Sequence, residues 1–318
     1  MNIFCHIPRE NWIVDRMGLE FKNRSSHTVS FTEINKETDV IWLLGSWCWD
    51  HIPTQILDSF RVVCTIHHEV PEKFTSKRRE NFIARDRFVD FYLTYTEDTK
   101  KLINSLSKKP VEIIPHWINT EIWKKLDRST CVKELNLPEN KFLIGSFQRD
   151  TEGSDLTSPK LEKGPDIFVE KVCEISKFKD VHVVLGGWRR QFVINKLNEN
   201  NIPYTYFELP SNDIVNKMYN ALDLYIISSR CEGGPQSLFE CAYLEIPQIT
   251  TRVGQHIFID DNCKYSIGEI LTDEKLEKSK LSISANRKNI DSLLDYNHIE
   301  KYDDYFKNIE QKDNTLRE

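Results

Sequence analysis

Nowhere in this sequence do eighteen apolar residues run consecutively, so it encodes no helix that crosses a bilayer. The start, Met1-Asn2-Ile3-Phe4-Cys5-His6-Ile7-Pro8, lacks a basic leader followed by a long apolar run, and we expect a cytoplasmic protein. The eight cysteines (Cys5, Cys48, Cys64, Cys131, Cys173, Cys231, Cys241 and Cys263) include no Cys-x-x-Cys pair. Their spacing signals neither a zinc site nor a disulfide framework, and they read as buried or idle thiols. No Asp-x-Asp, a common carboxylate chelator of magnesium or manganese, occurs either; the nearest cluster, Asp260-Asp261, reads as a solvated loop. No tract is biased in composition and no internal repeat is evident, which excludes a disordered or repeat protein.

What remains is an ordinary globular composition, 39% hydrophobic and 29% charged, spread over 318 residues. That length exceeds one core and suits two domains of roughly 100–200 residues each. The net charge of −6 is uneven. Residues 1–119 balance 16 basic against 16 acidic side chains, whereas the remainder carries 27 against 33. A neutral N-terminal half argues against duplex nucleic acid as a partner, since that normally needs a basic surface. The same half holds six of the nine histidines, which suits an acceptor or active-site surface.

Short β-rich apolar runs alternate with helical periodicity, the pattern of parallel α/β units. The first half offers strands at 2–6, 40–44, 62–67, 91–94 and 111–114, and the second at 142–146, 181–185, 204–207, 224–227 and 248–251. Two sheets fit these better than one. The proline-interrupted segment from Ile113 to Trp123 reads as the interdomain linker, giving domains 1–119 and 120–318. Residues 270–318 have helical spacing and are expected to form terminal helices able to return to the N-terminal domain.

The most informative segment is Ser228-Ser229-Arg230-Cys231-Glu232-Gly233-Gly234-Pro235-Gln236-Ser237-Leu238-Phe239-Glu240. A buried strand, a glycine turn and a helix follow in order, with Pro235 suited to a first helical position. Backbone N–H groups of Gly233 and Gly234 could approach an anion there, at the positive end of the helix dipole. Glu232 and Glu240 are too far apart to be a helix-surface pair. They suit two hydroxyl-bearing ends of one extended ligand, because a carboxylate accepts hydrogen bonds from vicinal hydroxyls.

Glu232 to Glu240 matches the Glu-x7-Glu motif of glycosyltransferase family 4, and the flanking Ala221-Leu222-Asp223-Leu224-Tyr225 and Pro247-Gln248-Ile249-Thr250-Thr251-Arg252-Val253-Gly254 resemble its neighbours. The resemblance spans about residues 111–260. It implies the GT-B fold, with two Rossmann-like domains facing each other across a cleft. It also implies that Glu232 contacts a donor sugar, the backbone through Pro235 contacts sugar and phosphate, and Glu240 binds the ribose. Family 4 places an Arg and a Lys in the segments represented here by Gly145-Ser146-Phe147-Gln148-Arg149-Asp150 and Lys160-Leu161-Glu162-Lys163-Gly164-Pro165-Asp166, so the resemblance nominates Arg149 and Lys163 to neutralise a diphosphate. Here Ser146, where the family usually has that Arg, departs from the pattern.

Gly186-Gly187-Trp188-Arg189-Arg190 follows a strand at the carboxyl end where open α/β sheets bind ligands, so Gly187 and Arg189 are donor-binding candidates; a turn packed by its aromatic residue explains the pair equally well. In the first half, Cys64-Thr65-Ile66-His67-His68-Glu69 ends a strand, and alternation turns one histidine inward. His67 is our candidate near the reacting sugar, with a structural histidine as the other reading. The basic stretch Lys73-Phe74-Thr75-Ser76-Lys77-Arg78-Arg79 would suit an anionic acceptor or peripheral membrane contact, or simply a solvated face. Two further departures are Pro8-Arg9-Glu10-Asn11-Trp12, where the family often has a glycine-rich loop, and Glu245, where it commonly has a helix-ending glycine.

The activity implied is retaining transfer of a sugar from a nucleoside-diphosphate sugar to a hydroxyl acceptor, with no cofactor and no metal. A sugar-nucleotide epimerase of similar architecture and a non-catalytic sugar-nucleotide-binding subunit are the alternatives.

Overall fold

The structure is a computed structural model that describes residues 1–10, 13–153 and 155–314. It divides into two compact units, Met1–Trp117 with Ser292–Glu318, and Ile118–Asp291. The division thus falls at 117/118 instead of 119/120, within the proline-interrupted segment. The terminal stretch is itself split: helices Asp273–Leu281 and Ile283–Asn289 stay with the second unit, while Asp295–Asn314 belongs to the first.

The first unit is a six-stranded parallel sheet of β1 (Asn2–His6), β2 (Thr28–Ser30), β3 (Val40–Leu43), β4 (Arg61–Thr65), β5 (Phe91–Thr94) and β6 (Val111–Ile113), in the order β2-β1-β3-β4-β5-β6. Both faces are covered, which is why its strands read as continuous apolar runs. On one face Ile3, Cys5, Val40, Trp42, Val63 and Leu93 pack against Val14, Met17 and Phe21 of helix Ile13–Arg24 and against Ile299, Tyr302, Phe306 and Ile309 of the last helix. The alternate residues Phe4, Ile41, Leu43, Val62, Cys64 and Tyr92 meet Leu57, Phe82 and Ile103 on the other. The 299, 302, 306, 309 stripe has helical spacing and buries one face of an otherwise charged helix, each large side chain contributing about 1.5–3 kcal/mol. β2 escaped the sequence reading, because a three-residue edge strand is too short to display alternation.

The second unit is a five-stranded parallel sheet of β7 (Phe142–Ser146), β8 (Val181–Gly187), β9 (Tyr204–Glu208), β10 (Leu224–Ile227) and β11 (Gln248–Thr250), in the order β11-β10-β7-β8-β9. Its core gathers Ile144, Val183, Leu185, Leu224, Ile226 and Ile249 with Phe168 and Val172 of helix Pro165–Ile175. Helix Gln236–Leu244 ends at Glu245 in the left-handed conformation, φ 58° and ψ 41°, at a local cost that glycine would not incur. The Glu245 carboxylate pairs with Lys125.

His298 fixes the last helix by donating from Nε2 to the Pro115 carbonyl at 2.7 Å, and it is wholly buried. Burial pushes its pKa down to about 4 from 6.5. The unfolded chain therefore binds this proton first, so the stability due to a neutral His298 is complete above pH 6.5 and is lost as pH falls from 6.5 towards 4. The shift corresponds to at most about 3 kcal/mol. Urea unfolding monitored between pH 7.5 and pH 4.5 should show this decline, and His298→Gln should flatten it. An equally steep decline in the variant would remove His298 as a source.

Candidate functional site

β7 has β8 on one side and β10 on the other, and the chain order runs outward in opposite directions from there. This is the switch point of the second sheet, where open α/β folds leave a crevice beyond the strand ends. The glycine turn enters it directly from β10. Gly164, with φ +61°, starts helix Pro165–Ile175 so close to this turn that a Cβ would lie 1.9 Å from the Ser228 carbonyl oxygen. Gly254, with φ +55°, would bring a Cβ to 2.8 Å from the Cα of Gly234. Three backbone segments therefore meet with no room for side chains. The Glu162 carbonyl accepts from the N–H groups of Arg230 (2.8 Å) and Cys231 (3.1 Å), and the Arg230 guanidinium grips both oxygens of Asp166 at 2.7 and 2.6 Å.

This frame brings two of the candidate residues into contact: Lys163 Nζ and Glu232 Oε1 form an ion pair, with the Glu232 side chain 7% exposed and Lys163 23%. The Ser229 hydroxyl donates to the same Oε1 at 3.2 Å. Gln148 Nε2 (2.9 Å) and the Ser228 hydroxyl (3.3 Å) donate to the Lys163 carbonyl, so Lys163 is fixed by its backbone as well as by its charge. Glu240 sits in the second turn of its helix, buried, and accepts from the Tyr219 hydroxyl at 2.7 Å. Burial and the Glu240 carboxylate hold the Tyr219 phenol well above its usual pKa, which keeps it a proton donor. Its ring packs on Phe147 and Tyr225, and the Tyr225 hydroxyl accepts from the Phe147 N–H at 2.9 Å. Pro235 is extended and caps the helix, which begins one residue later than expected, at Gln236. Gly233 is buried and Gly234 half-buried in the turn before it.

The other cations are placed differently. Arg149 donates from Nε to the Thr151 carbonyl at 2.7 Å and lies over the Trp188 ring at 5.5 Å. Burial, and next the neighbouring Arg189 charge, lowers its pKa. Arg189 is buried, held by Thr151 Oγ1 at 3.3 Å and by the Gly153 carbonyl, and also covers Trp188. Gly187 has φ +101°, and its carbonyl accepts from the Tyr206 hydroxyl at 3.0 Å and the Leu209 N–H at 3.2 Å. The Gly186-Gly187 loop is thus a turn packed around Trp188 with both arginines tied to the adjoining backbone. Arg190 is 1% exposed and paired with Asp150 at 3.0 Å. It also donates to the Ser146 and Gly186 carbonyls, binding the ends of β7 and β8 together.

In the first unit, β4 ends at Thr65 and His67 lies in the loop beyond it, a correction to its expected place at the strand end. Nε2 of His67 bonds the Leu44 carbonyl at 2.9 Å, and the ring lies 5.6 Å from that of Trp47 and 5.2 Å from that of Tyr95. Burial pushes its pKa down to about 4, so it is neutral at pH 7. This is the arrangement of a hydrogen-bonded structural histidine. Sequence reasoning missed Tyr219, Gln148, Ser228 and Ser229 as supports of the site; a hydroxyl or amide aimed at a carboxylate or carbonyl leaves no trace in spacing.

Two parallel Rossmann-like sheets with a glycine turn at the switch point of the second define the GT-B class of glycosyltransferase fold. More particularly, residues 156–276 match the model of a family described as glycosyl transferases group 1, and on that match the chain is an enzyme of the glycosyltransferase class. No curated protein matches it in sequence. Among solved structures it is similar to HepE from Anabaena in complex with UDP and glucose, at 11% identity and TM-score 0.79 over 96% of this chain and 99% of that one. Sucrose-phosphate synthase from Thermosynechococcus elongatus matches at 15% identity and TM-score 0.69, over 86% of this chain and 74% of its own. A glycosyltransferase from Rickettsia africae matches at 13% identity and TM-score 0.70, over 97% and 98%. At these identities the likeness is one of fold.

Removing Asp150 leaves the Arg190 guanidinium buried with no carboxylate. Asp150→Ala should lower stability by about 3–5 kcal/mol, as breaking a buried ion pair does. Chemical denaturation of the two proteins measures this, and a loss below about 1 kcal/mol, the range of an exposed pair, would contradict the role assigned to Arg190.

Proposed function

We propose that the chain is a retaining glycosyltransferase of family 4 that moves a sugar from a UDP-sugar to an acceptor hydroxyl. The observation that carries this is the Lys163–Glu232 pair, seated against a glycine turn at the switch point of the second sheet. A nucleoside-diphosphate sugar presents both what each partner lacks in the other's absence, an anion for the lysine and hydroxyls for the carboxylate. Donor binding would exchange the internal pair for these two contacts, with the diphosphate at Lys163 and the N–H groups about Gly233 and Gly234, and the sugar hydroxyls at Glu232. Glu240, oriented by Tyr219, would receive the ribose. Neighbours of the same fold support the choice of nucleotide: HepE has been captured with UDP-glucose, and the pneumococcal O-GlcNAc transferase GtfA with UDP and GlcNAc.

Transfer then needs charge stabilisation on the departing diphosphate, and a preformed lysine with helix N–H groups supplies it without reorganisation. Arg149 would add to it once a donor competes with the Thr151 carbonyl. The leaving group carries charge that other architectures neutralise with a divalent ion on Asp-x-Asp carboxylates, a motif this sequence does not contain. His67, half-buried and neutral, would contribute from the acceptor-side unit only if its ring leaves the Leu44 carbonyl. We place the enzyme in the cytoplasm, with a hydroxyl-bearing acceptor.

UDP release from UDP-glucose and related donors should appear only when an acceptor hydroxyl is supplied, with the anomeric configuration conserved in the product, and it should survive EDTA. Transfer abolished by chelation and restored by magnesium or manganese would contradict the leaving-group role of Lys163. Interconversion of the donor without transfer would make the chain an epimerase instead.

A further inference from the structure

β1 and β3 are adjacent in the first sheet, and the chain leads away from them in opposite directions, β2 beyond β1 and β4 beyond β3. The carboxyl ends of these two strands therefore form the switch point of the first unit, the counterpart of the crevice described above. His6 is the last residue of β1. The segment that follows β3 turns at Gly45 and enters a short 3-10 helix, Ser46–His51, that carries Cys48 and His51 three residues apart. The helix is kinked at Cys48 itself (φ −108°, ψ 21°), so the two side chains are brought near each other by this bend of the chain. Among the described residues, one ligating atom each from His6, Cys48 and His51 lies within 4.8 Å of the others, the one group of three His, Cys, Asp or Glu side chains so close.

A second observation points to a ligand. His6 Nε2 is buried with no hydrogen-bond partner, although a buried polar atom left unsatisfied costs about 1–3 kcal/mol. The His6 and His51 rings meet edge-on, with centroids 5.7 Å apart. A free imidazole nitrogen beside a thiol and a second imidazole is a ready ligand for a metal ion. Cys48 itself is buried and held close to its turn, with Sγ 3.2 Å from the Gly45 carbonyl oxygen. His51 is exposed and can swing in. Ligands on a tetrahedral zinc ion stand about 3.5 Å apart, given bonds of roughly 2.0–2.3 Å, so closure requires only side-chain rotation of about 1 Å.

We propose that His6, Cys48 and His51 form a binding site for a borderline-soft divalent cation of the zinc class, with a fourth position open to water or an exogenous ligand. Two imidazoles and one thiolate select zinc, cobalt or nickel over magnesium and manganese, which prefer oxygen. Binding displaces the Cys48 thiol proton to solvent and gives the orphaned His6 nitrogen its partner. Sequence spacing alone conceals the site, because a helix and two strands separate His6 from the pair and no Cys-x-x-Cys is present. The site shares no residue with the Lys163–Glu232 arrangement of the second unit.

The test is titration of the untagged, chelator-stripped full chain with cobalt(II), followed by back-titration with zinc(II). We expect one equivalent to bind with tetrahedral d–d bands and a thiolate-to-cobalt charge-transfer band in the near ultraviolet, all erased by zinc. Cys48→Ser should remove the charge-transfer band. His51→Ala, at an exposed position that the core does not need, should weaken binding by about tenfold or more while leaving the circular dichroism spectrum unchanged. Cys173→Ser should alter neither. Retention of the thiolate band in Cys48→Ser, or unchanged affinity in His51→Ala, would overturn the proposal, as would a wild-type chain that shows no thiolate–cobalt band.

Discussion

The 1.9 Å that would separate a Cβ on residue 164 from the Ser228 carbonyl oxygen governs the geometry of the second unit's site. Because Gly164 has no side chain, helix Pro165–Ile175 begins hard against the end of β10, and Lys163, one residue earlier, is delivered to the glycine turn. The Gln148 and Ser228 side chains then close on the Lys163 carbonyl, and the Glu162 carbonyl collects the Arg230 and Cys231 N–H groups. Each contact is an ordinary hydrogen bond worth about 1 kcal/mol net. Together they fix one lysine against one carboxylate with little conformational freedom.

That fixed pair is the property on which the functional reading rests. A lysine and a glutamate neutralising each other leave both charges satisfied before any ligand arrives. A ligand carrying an anion and vicinal hydroxyls can replace the pair without leaving either charge unpartnered, whereas a ligand with only one of these features would strand the other group. Selectivity for a diphosphate joined to a sugar would thus follow from the pairing itself. The Asp150–Arg190 pair serves a different purpose: with both side chains 1% exposed, it ties the ends of β7 and β8 so that the loops beyond them keep their register.

Strands with both faces buried were legible in the sequence, since apolar runs of four to six residues bounded by turn residues have few other interpretations. The glycine turn was legible for a related reason: glycine, proline and paired carboxylates at fixed offsets carry their geometry with them. What escaped depended on contacts between segments distant in sequence. β2 was too short to show alternation, and no spacing showed that Arg190 is buried against Asp150, forty residues earlier. His67 was placed at a strand end from alternation, but β4 stops at Thr65, and the ring turns to the Leu44 carbonyl. The terminal helices were expected to be able to return to the N-terminal domain, but which of them does so was not legible, because the apolar stripe of the last helix becomes recognisable only beside Phe21 and Trp42.

Calorimetric titration of UDP, which offers the anion without the sugar, into the wild type, Lys163→Met and Glu232→Gln tests the central claim most directly. If the pair is a resting arrangement that a donor replaces, only one of the two variants weakens UDP. Lys163→Met should weaken UDP by about tenfold or more, in keeping with roughly 1.5–3 kcal/mol for a hydrogen bond to a charged group, while Glu232→Gln, which releases the lysine, should tighten it or leave it unchanged. Equal weakening in both variants, or unchanged affinity in Lys163→Met, would contradict the account.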